Sequence, residues 1–364
     1  MRSSRLLAAA TACLCTAVIC SALIFTALIC VAQDTETAKS DPMAYLQRAL
    51  DLMQARALHK DRIDWSALRK EAIALAADAE LTVDTYEAIR FALSRLNDNH
   101  SSFHPTPSLR ELESQRHATK PGPPAPTVPP SPFSVRFEPE GRLVRHRGMT
   151  FGVVIVPKCF PASDKQFIAY ATRLQQVLAS LGKSKPAGWV VDLRGNVGGN
   201  MWPMLTGIGP LLGEGDHLGE FFSTHGHSVW KYRDGVAAEV ENGIENAYPA
   251  VAGLPHKISG NPKVAVLIDR RTGSSGEAIG IAFRGRTETR FFGERTAGLS
   301  TVNSVIRLSD GASLWLTVGV QADRTGKQYP SGFEPDESVE PPSTLPADED
   351  DPVLQAALRW LSFR

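Results

Sequence analysis

Val264-Ala265-Val266-Leu267-Ile268 runs, two residues later, into Arg271-Thr272-Gly273-Ser274-Ser275-Gly276-Glu277-Ala278, and the apolar run Ile279 to Phe283 follows at once. The first segment reads as a buried strand and the last as a buried helix, so Ser274 falls at a strand-to-helix turn. Backbone N–H groups at such a turn have no intrahelical acceptor. The helix dipole adds partial positive charge there, which suits a developing oxyanion. A second apolar strand, Trp189-Val190-Val191, ends in Asp192-Leu193-Arg194-Gly195-Asn196-Val197-Gly198-Gly199-Asn200. Two Gly-rich turns at two strand ends supply a nucleophile and an N–H donor, the parts that acyl transfer through a serine requires.

Outward from these turns, strand and helix patterns alternate, which places the body in the α/β class. Phe151 to Val156 reads as a strand. Ser163 to Leu181 reads as an amphipathic helix with Phe167, Leu174, Val177 and Leu178 on one face, stopped by Gly182. Between about Trp202 and Gly260 the pattern reads as mixed structure with long loops, and those up to Tyr248 are expected to shape the specificity pocket. Asp310-Gly311 between two apolar runs signals a hairpin, and Asp351-Pro352 opens a last helix with Leu354, Leu358 and Leu361. Upstream, three short helices are expected. They carry the stripes Leu46, Leu50 and Met53, then Leu68, Ile73 and Leu75, then Tyr86, Ile89, Leu93 and Leu96. The expected organisation is 1–33 as signal peptide or membrane anchor, 41–104 as a helical bundle, 105–132 as a Pro-rich linker and 133–364 as the α/β core.

The chain has 364 residues with 39 basic and 39 acidic side chains, so nothing in its charge points to nucleic acid. Met1-Arg2-Ser3-Ser4-Arg5 is a basic start, and Leu6 to Gln33 contains no charge. That stretch reads as a secretory signal or, through residues 6–32, as an uncleaved anchor. Its small residues and Cys30-Val31-Ala32 favour cleavage. Either way the body is expected outside the cytoplasm, in a periplasmic or extracellular space. Four of the five cysteines lie in this segment, which leaves the body only Cys159 and therefore no internal disulfide or cysteine metal cluster. His225-Gly226-His227 has metal-like spacing but no third ligand nearby in sequence, so neither metal nor other cofactor is expected.

The motif Asp192 to Gly199, followed by Gly273-Ser274-Ser275-Gly276-Glu277 and then Gly332-Phe333-Glu334-Pro335-Asp336, resembles the tail-specific or C-terminal-processing serine proteases. One branch of that family uses a lysine in a Gly-Glu-x-Thr-x-Gly-Lys stretch. Here the stretch is Gly293-Glu294-Arg295-Thr296-Ala297-Gly298-Leu299, and Leu299 cannot take a proton. The other branch, similar to the tricorn core and without a PDZ domain here, carries its histidine upstream in a Leu-x-Asp-x-His pattern. This chain reads Leu96-Asn97-Asp98-Asn99-His100.

The resemblance implies a ClpP/crotonase-like ββα spiral core and a peptide or protein substrate. It makes Ser274 the nucleophile and His100 the general base, with the backbone N–H groups of Gly198 and Ser275 as the oxyanion hole. Asn99 falls at an orienting position. The family's glutamate has no counterpart, and Gln328 is the residue near that place able to orient an imidazole. Against this stands Ser274 as a plain helix cap with Glu277 reaching back. Among functional alternatives, a catalytically weak relative would bind peptide or a hydrophobic ligand, as retinoid-binding repeats of this fold do. A crotonase-like thioester hydrolase would need coenzyme A, for which no basic cluster is evident. The sequence does not read out an oligomeric state.

Overall fold

The computed structural model describes residues 41–116, 132–224, 226–253 and 255–363. The expected leader, His225 and most of the expected linker lie outside the described residues. The chain divides into two compact units, and the division departs from the expected boundaries. The described residues of the first unit are 41–116 and 304–316, and those of the second are 132–224, 226–253, 255–303 and 317–363. Residues 304–316 thus leave the expected core and belong with the N-terminal part. Residues 107–116, expected as linker, form a helix.

In the first unit, helix α1 (Pro42–Arg56) starts at Asp41, whose carboxylate accepts from the Met43 and Ala44 N–H groups. Helix α2 (Trp65–Leu75) is capped in the same way by Asp64. Helix α3 (Tyr86–Ser94), strand β1 (Ser102–His104) and helix α4 (Pro107–Arg116) follow. Leu46, Leu50, Met53, Tyr86, Ile89 and Leu96 are fully or almost fully buried, so the first and third expected stripes hold. The second does not. Only Leu68 and Ala72 of α2 are buried, while Ile73 and Leu75 are 36% and 47% exposed, because α2 lies at the edge of its unit. Residues 313–315 pair antiparallel with β1, and Asp310 in the expected hairpin turn accepts from the Tyr86 hydroxyl at 2.6 Å.

The second unit is built on a sheet in which β2 (Glu140–His146) pairs antiparallel with β3 (Met149–Ile155). Next to β3 run β4 (Trp189–Asp192), β9 (Val264–Ile268), β10 (Thr289–Gly293) and the short β14 (Glu337–Ser338), all parallel. Alternate residues explain why these strands read as unbroken apolar runs. Val154, Val191, Val266 and Phe291 face one core, shared with helices α5 (Asp164–Gly182), α6 (Met201–Leu212) and α7 (Ser275–Phe283). Phe151, Val190, Leu267 and Phe292 face the other, closed by helix α8 (Pro352–Leu361).

The segment expected as mixed structure with long loops holds α6 and an antiparallel meander, and only after Ala247 does a long stretch, without helix or strand among its described residues, lead to β9. The meander's strands are β5 (Gly215–Ser223), β6 (Gly226–Arg233), β7 (Val236–Glu241) and β8 (Ile244–Ala247). Strand β11 (Thr301–Arg307) pairs with β12 (Ser313–Asp323) as the hairpin signal implied. Residues 319–323 pair with β5, and β13 (Gln328–Tyr329) adds beside them. Helix α5 ends at Gly182, but the left-handed residue that turns the chain is Lys185, with φ +47°.

Candidate active site

Strands β4 and β9 are neighbours, so their C-terminal turns lie side by side. The turns are laced together: Gly273 N–H donates to the Asn196 carbonyl at 2.9 Å, and Thr272 Oγ1 donates to the Leu193 carbonyl at 3.0 Å. The Asp269 carboxylate accepts from Gly195 N–H at 3.0 Å. Asp192 and Arg194 lock the first turn: Arg194 Nε and Nη2 donate to Asp192 at 2.9 Å, and both its Nη groups donate to Asp351, the cap of α8. Burial works to raise the Asp192 pKa, but Arg194 and Arg136 outweigh it and hold the carboxyl well below the usual range.

Ser274 precedes α7 with φ +51° and ψ −118°. An ordinary N-cap sits in the β region, and a left-handed serine is uncommon. Such strain costs about 1–3 kcal/mol and persists where surrounding structure over-determines it. Here Glu277 does so. Its buried carboxylate accepts from Ser274 N–H, Thr296 Oγ1, Gly298 N–H and Leu299 N–H, all between 2.6 and 2.9 Å. Leu299, at the place of the family's lysine, therefore contributes only its backbone. Glu277 reaching back to Ser274 N–H is the capping arrangement the sequence offered, and Ser275 N–H, in the first turn of α7, has no acceptor among the described residues.

The structure brings Ser274, Ser275 and Gly198 together. A Cβ placed on Gly198, whose φ is +108°, would stand 2.7 Å from Ser274 Cβ and 3.0 Å from Ser275 N. The expected donor role of the Gly198 N–H needs correction, because that group already donates to Asn196 Oδ1 at 2.9 Å. The neighbouring Gly199 N–H has no acceptor among the described residues, and the Gly199 carbonyl accepts from Ser275 Oγ at 2.6 Å. Asn196 thus positions the Gly-rich turn, a role the motif alone did not single out. Its Nδ2 donates to the Val156 carbonyl, so the side chain joins the end of β3 to the Gly-rich turn after β4, while the Asn196 backbone carbonyl holds the serine turn through Gly273 N–H. An Asn between two turn glycines was the available signal.

In the first unit, His100 follows α3. Its N–H and that of Ser101 donate to Asp98 Oδ1 at 3.0 and 2.7 Å, an Asx turn that fixes the segment. Burial draws the His100 pKa below the ordinary histidine value, against the opposing pull of the Asp98 carboxylate. Asn99 is exposed with φ +56°, so Asp98 and not Asn99 holds the turn. Gln328 is exposed on β13 and its amide makes no hydrogen bond within its unit. Burial pushes the Cys159 thiol up to about 12, so it is no competing nucleophile at neutral pH. Among the described residues no cluster of His, Cys, Asp and Glu has metal-holding geometry.

A hydroxyl on a strained strand-to-helix turn beside open N–H donors is an arrangement that suits a serine nucleophile. The profile of Peptidase family S41 matches residues 150–339. A nisin-resistance protein of Lactococcus lactis subsp. lactis is 31% identical over 293 residues, 79% of this chain and 80% of that protein. A chloroplastic C-terminal processing peptidase of Tetradesmus obliquus is 29% identical over 175 residues, covering 48% of this chain and 33% of that protein. The solved structure of a lipoprotein from Streptococcus agalactiae superposes with a TM-score of 0.61 at 21% identity, over 88% of this chain and 96% of that one. The chain belongs to Peptidase family S41. It is a serine peptidase.

Proposed function

We propose that this chain is an exported endopeptidase that cleaves peptide or protein substrates through an acyl-enzyme on Ser274, with His100 as general base. The strained backbone of Ser274, held by Glu277 and flanked by open N–H groups, is the observation that carries the reading. Neutral His100 takes the Ser274 proton as Oγ attacks the substrate carbonyl. The tetrahedral oxyanion is held by Ser275 N–H and Gly199 N–H, while Gly198 lets the turn approach the serine by lacking a side chain. The imidazolium then protonates the leaving amine, and water activated by His100 releases the acyl group. Export rests on the basic start and uncharged run of residues 1–33.

The test is fluorophosphonate labelling and turnover of unstructured casein by residues 34–364. Ser274→Ala is expected to abolish both. His100→Ala is expected to slow both about hundred- to ten-thousand-fold, the usual worth of a positioned base. Labelling that survives Ser274→Ala would move the nucleophile elsewhere. Folded wild type that neither labels nor cleaves would favour a binding module.

The pH profile gives a second check. With its pKa lowered by burial, His100 stays deprotonated into mildly acid solution, so the acid limb of kcat/KM should lie below the ordinary histidine value of about 6.5. Asp98→Asn keeps an acceptor for the turn but removes a charge that favours imidazolium. The limb should therefore move further to acid. A shift toward higher pH, or none, would exclude His100 as the titrating base.

A further inference from the structure

We infer that Phe160 is a specificity-determining residue that receives an apolar side chain of the peptide substrate, an inference that rests on the serine-turn site proposed above. Residues 157–161 continue β3 past its last pairing with β2, which is Glu140 opposite Ile155. On the inner side they pair with the Gly-rich turn: Cys159 N–H donates to the Gly198 carbonyl at 3.1 Å, and Asn200 N–H donates to the Cys159 carbonyl at 2.7 Å. A Cβ on Gly199 would lie 3.2 Å from Phe160 Cδ1, while one on Gly198 would lie 2.7 Å from Ser274 Cβ. The Phe160 ring and the nucleophile therefore flank the same Gly-Gly pair. At about 3.3 Å per extended residue, the ring lies in reach of a substrate position about two residues from the scissile bond.

Two features of this place suit a peptide. The outer edge of the segment is open, since neither Lys158 N–H nor Phe160 N–H has an acceptor among the described residues. An extended chain can pair there through its backbone. Beside that edge is a cavity of about 310 Å3, walled by Phe137, Lys158, Phe160 and Tyr170. Phe137 and Phe160 are each 64% exposed, an uncommon state for two neighbouring phenylalanines. Lys158 Nζ stands 4.5 Å from the Phe137 ring centre, so charge is part of the wall and the Phe160 ring is the apolar surface left to a ligand. An aromatic or large aliphatic side chain fits such a pocket.

The experiment measures binding of fluorescein-labelled extended peptides to the intact Ser274→Ala chain by anisotropy. Paired peptides differ by Phe or Ser at a single position, moved stepwise along the peptide. At one position Phe is expected to tighten binding at least about tenfold. Phe160→Ala in the same background should remove that difference, and Phe160→Leu should restore most of it. Phe363→Ala, at a ring 62% exposed elsewhere, should leave it intact. A preference unchanged by Phe160→Ala, or no position with a preference, overturns the assignment. Failure of wild type to label with fluorophosphonate would instead overturn the catalytic reading, and the binding comparison would still decide Phe160.

Discussion

Alanine at Gly198 is expected to lower fluorophosphonate labelling and peptide turnover by at least about a hundredfold, although the residue contributes no side chain. Its Cβ would meet Ser274 Cβ at 2.7 Å, the Gly273 carbonyl at 3.0 Å and Ser275 N at 3.0 Å. Two of these neighbours are backbone and the third is the first atom of the nucleophile's side chain, so none can swing aside. The φ of +108° adds strain for any L side chain. Relief comes only by separating the two turns. A displacement of about 1 Å in a reacting group commonly costs a factor of about a hundred. The measurement is the second-order labelling rate alongside the melting temperature. Near-wild-type labelling in a folded Gly198→Ala chain would show that the turns can part without harm.

Asp351→Ala should carry the largest stability cost, about 3–5 kcal/mol, because it leaves buried Arg194 to share the single Asp192 carboxylate with Arg136. Arg194 and Asp351 side chains are 1% and 4% exposed. Asp351 also accepts from the Val353 and Leu354 N–H groups, so the same change uncaps α8 and loosens the core that helix closes. Denaturant midpoints at constant m-value measure it. The cluster has a pH signature as well. The folded pKa of Asp192 is depressed, so its contribution is complete above the unfolded carboxylate pKa and fades as pH falls toward the folded value. A loss below about 1 kcal/mol in Asp351→Ala would mean that water or the remaining carboxylate, Asp192, suffices for Arg194.

Legibility in the sequence followed how local each signal was. Strands β4 and β9 could be read because both faces are buried, leaving Val190-Val191 and Val264 to Ile268 as unbroken apolar runs. The serine turn was legible for the same reason, as punctuation between two buried elements. Helix α6 was not, since it contains Pro203, Gly207, Gly209 and Pro210 and is buried on every side, so no stripe shows. Its glycines answer to distant neighbours: a Cβ on Gly207 would strike Leu174, and one on Gly209 would strike Tyr232. Strand β5 hid its alternation behind a register shift between Gly215 and Gly219. The Gly198 N–H could not be assigned from sequence, because its partner, Asn196 Oδ1, is set by a side-chain rotamer.

The excursion of residues 304–316 changes what kind of object this protein is. The chain passes from the first unit to the second, returns after Asn303 and departs again after Leu316. A single cut in the Pro-rich segment therefore cannot free the helices as a module. The remainder would carry a hairpin whose Asp310 has lost Tyr86 and whose residues 313–315 have lost β1. In heredity as in the test tube, the two parts are inseparable by simple truncation. A gene rearrangement that exchanged one would have to carry the hairpin with it.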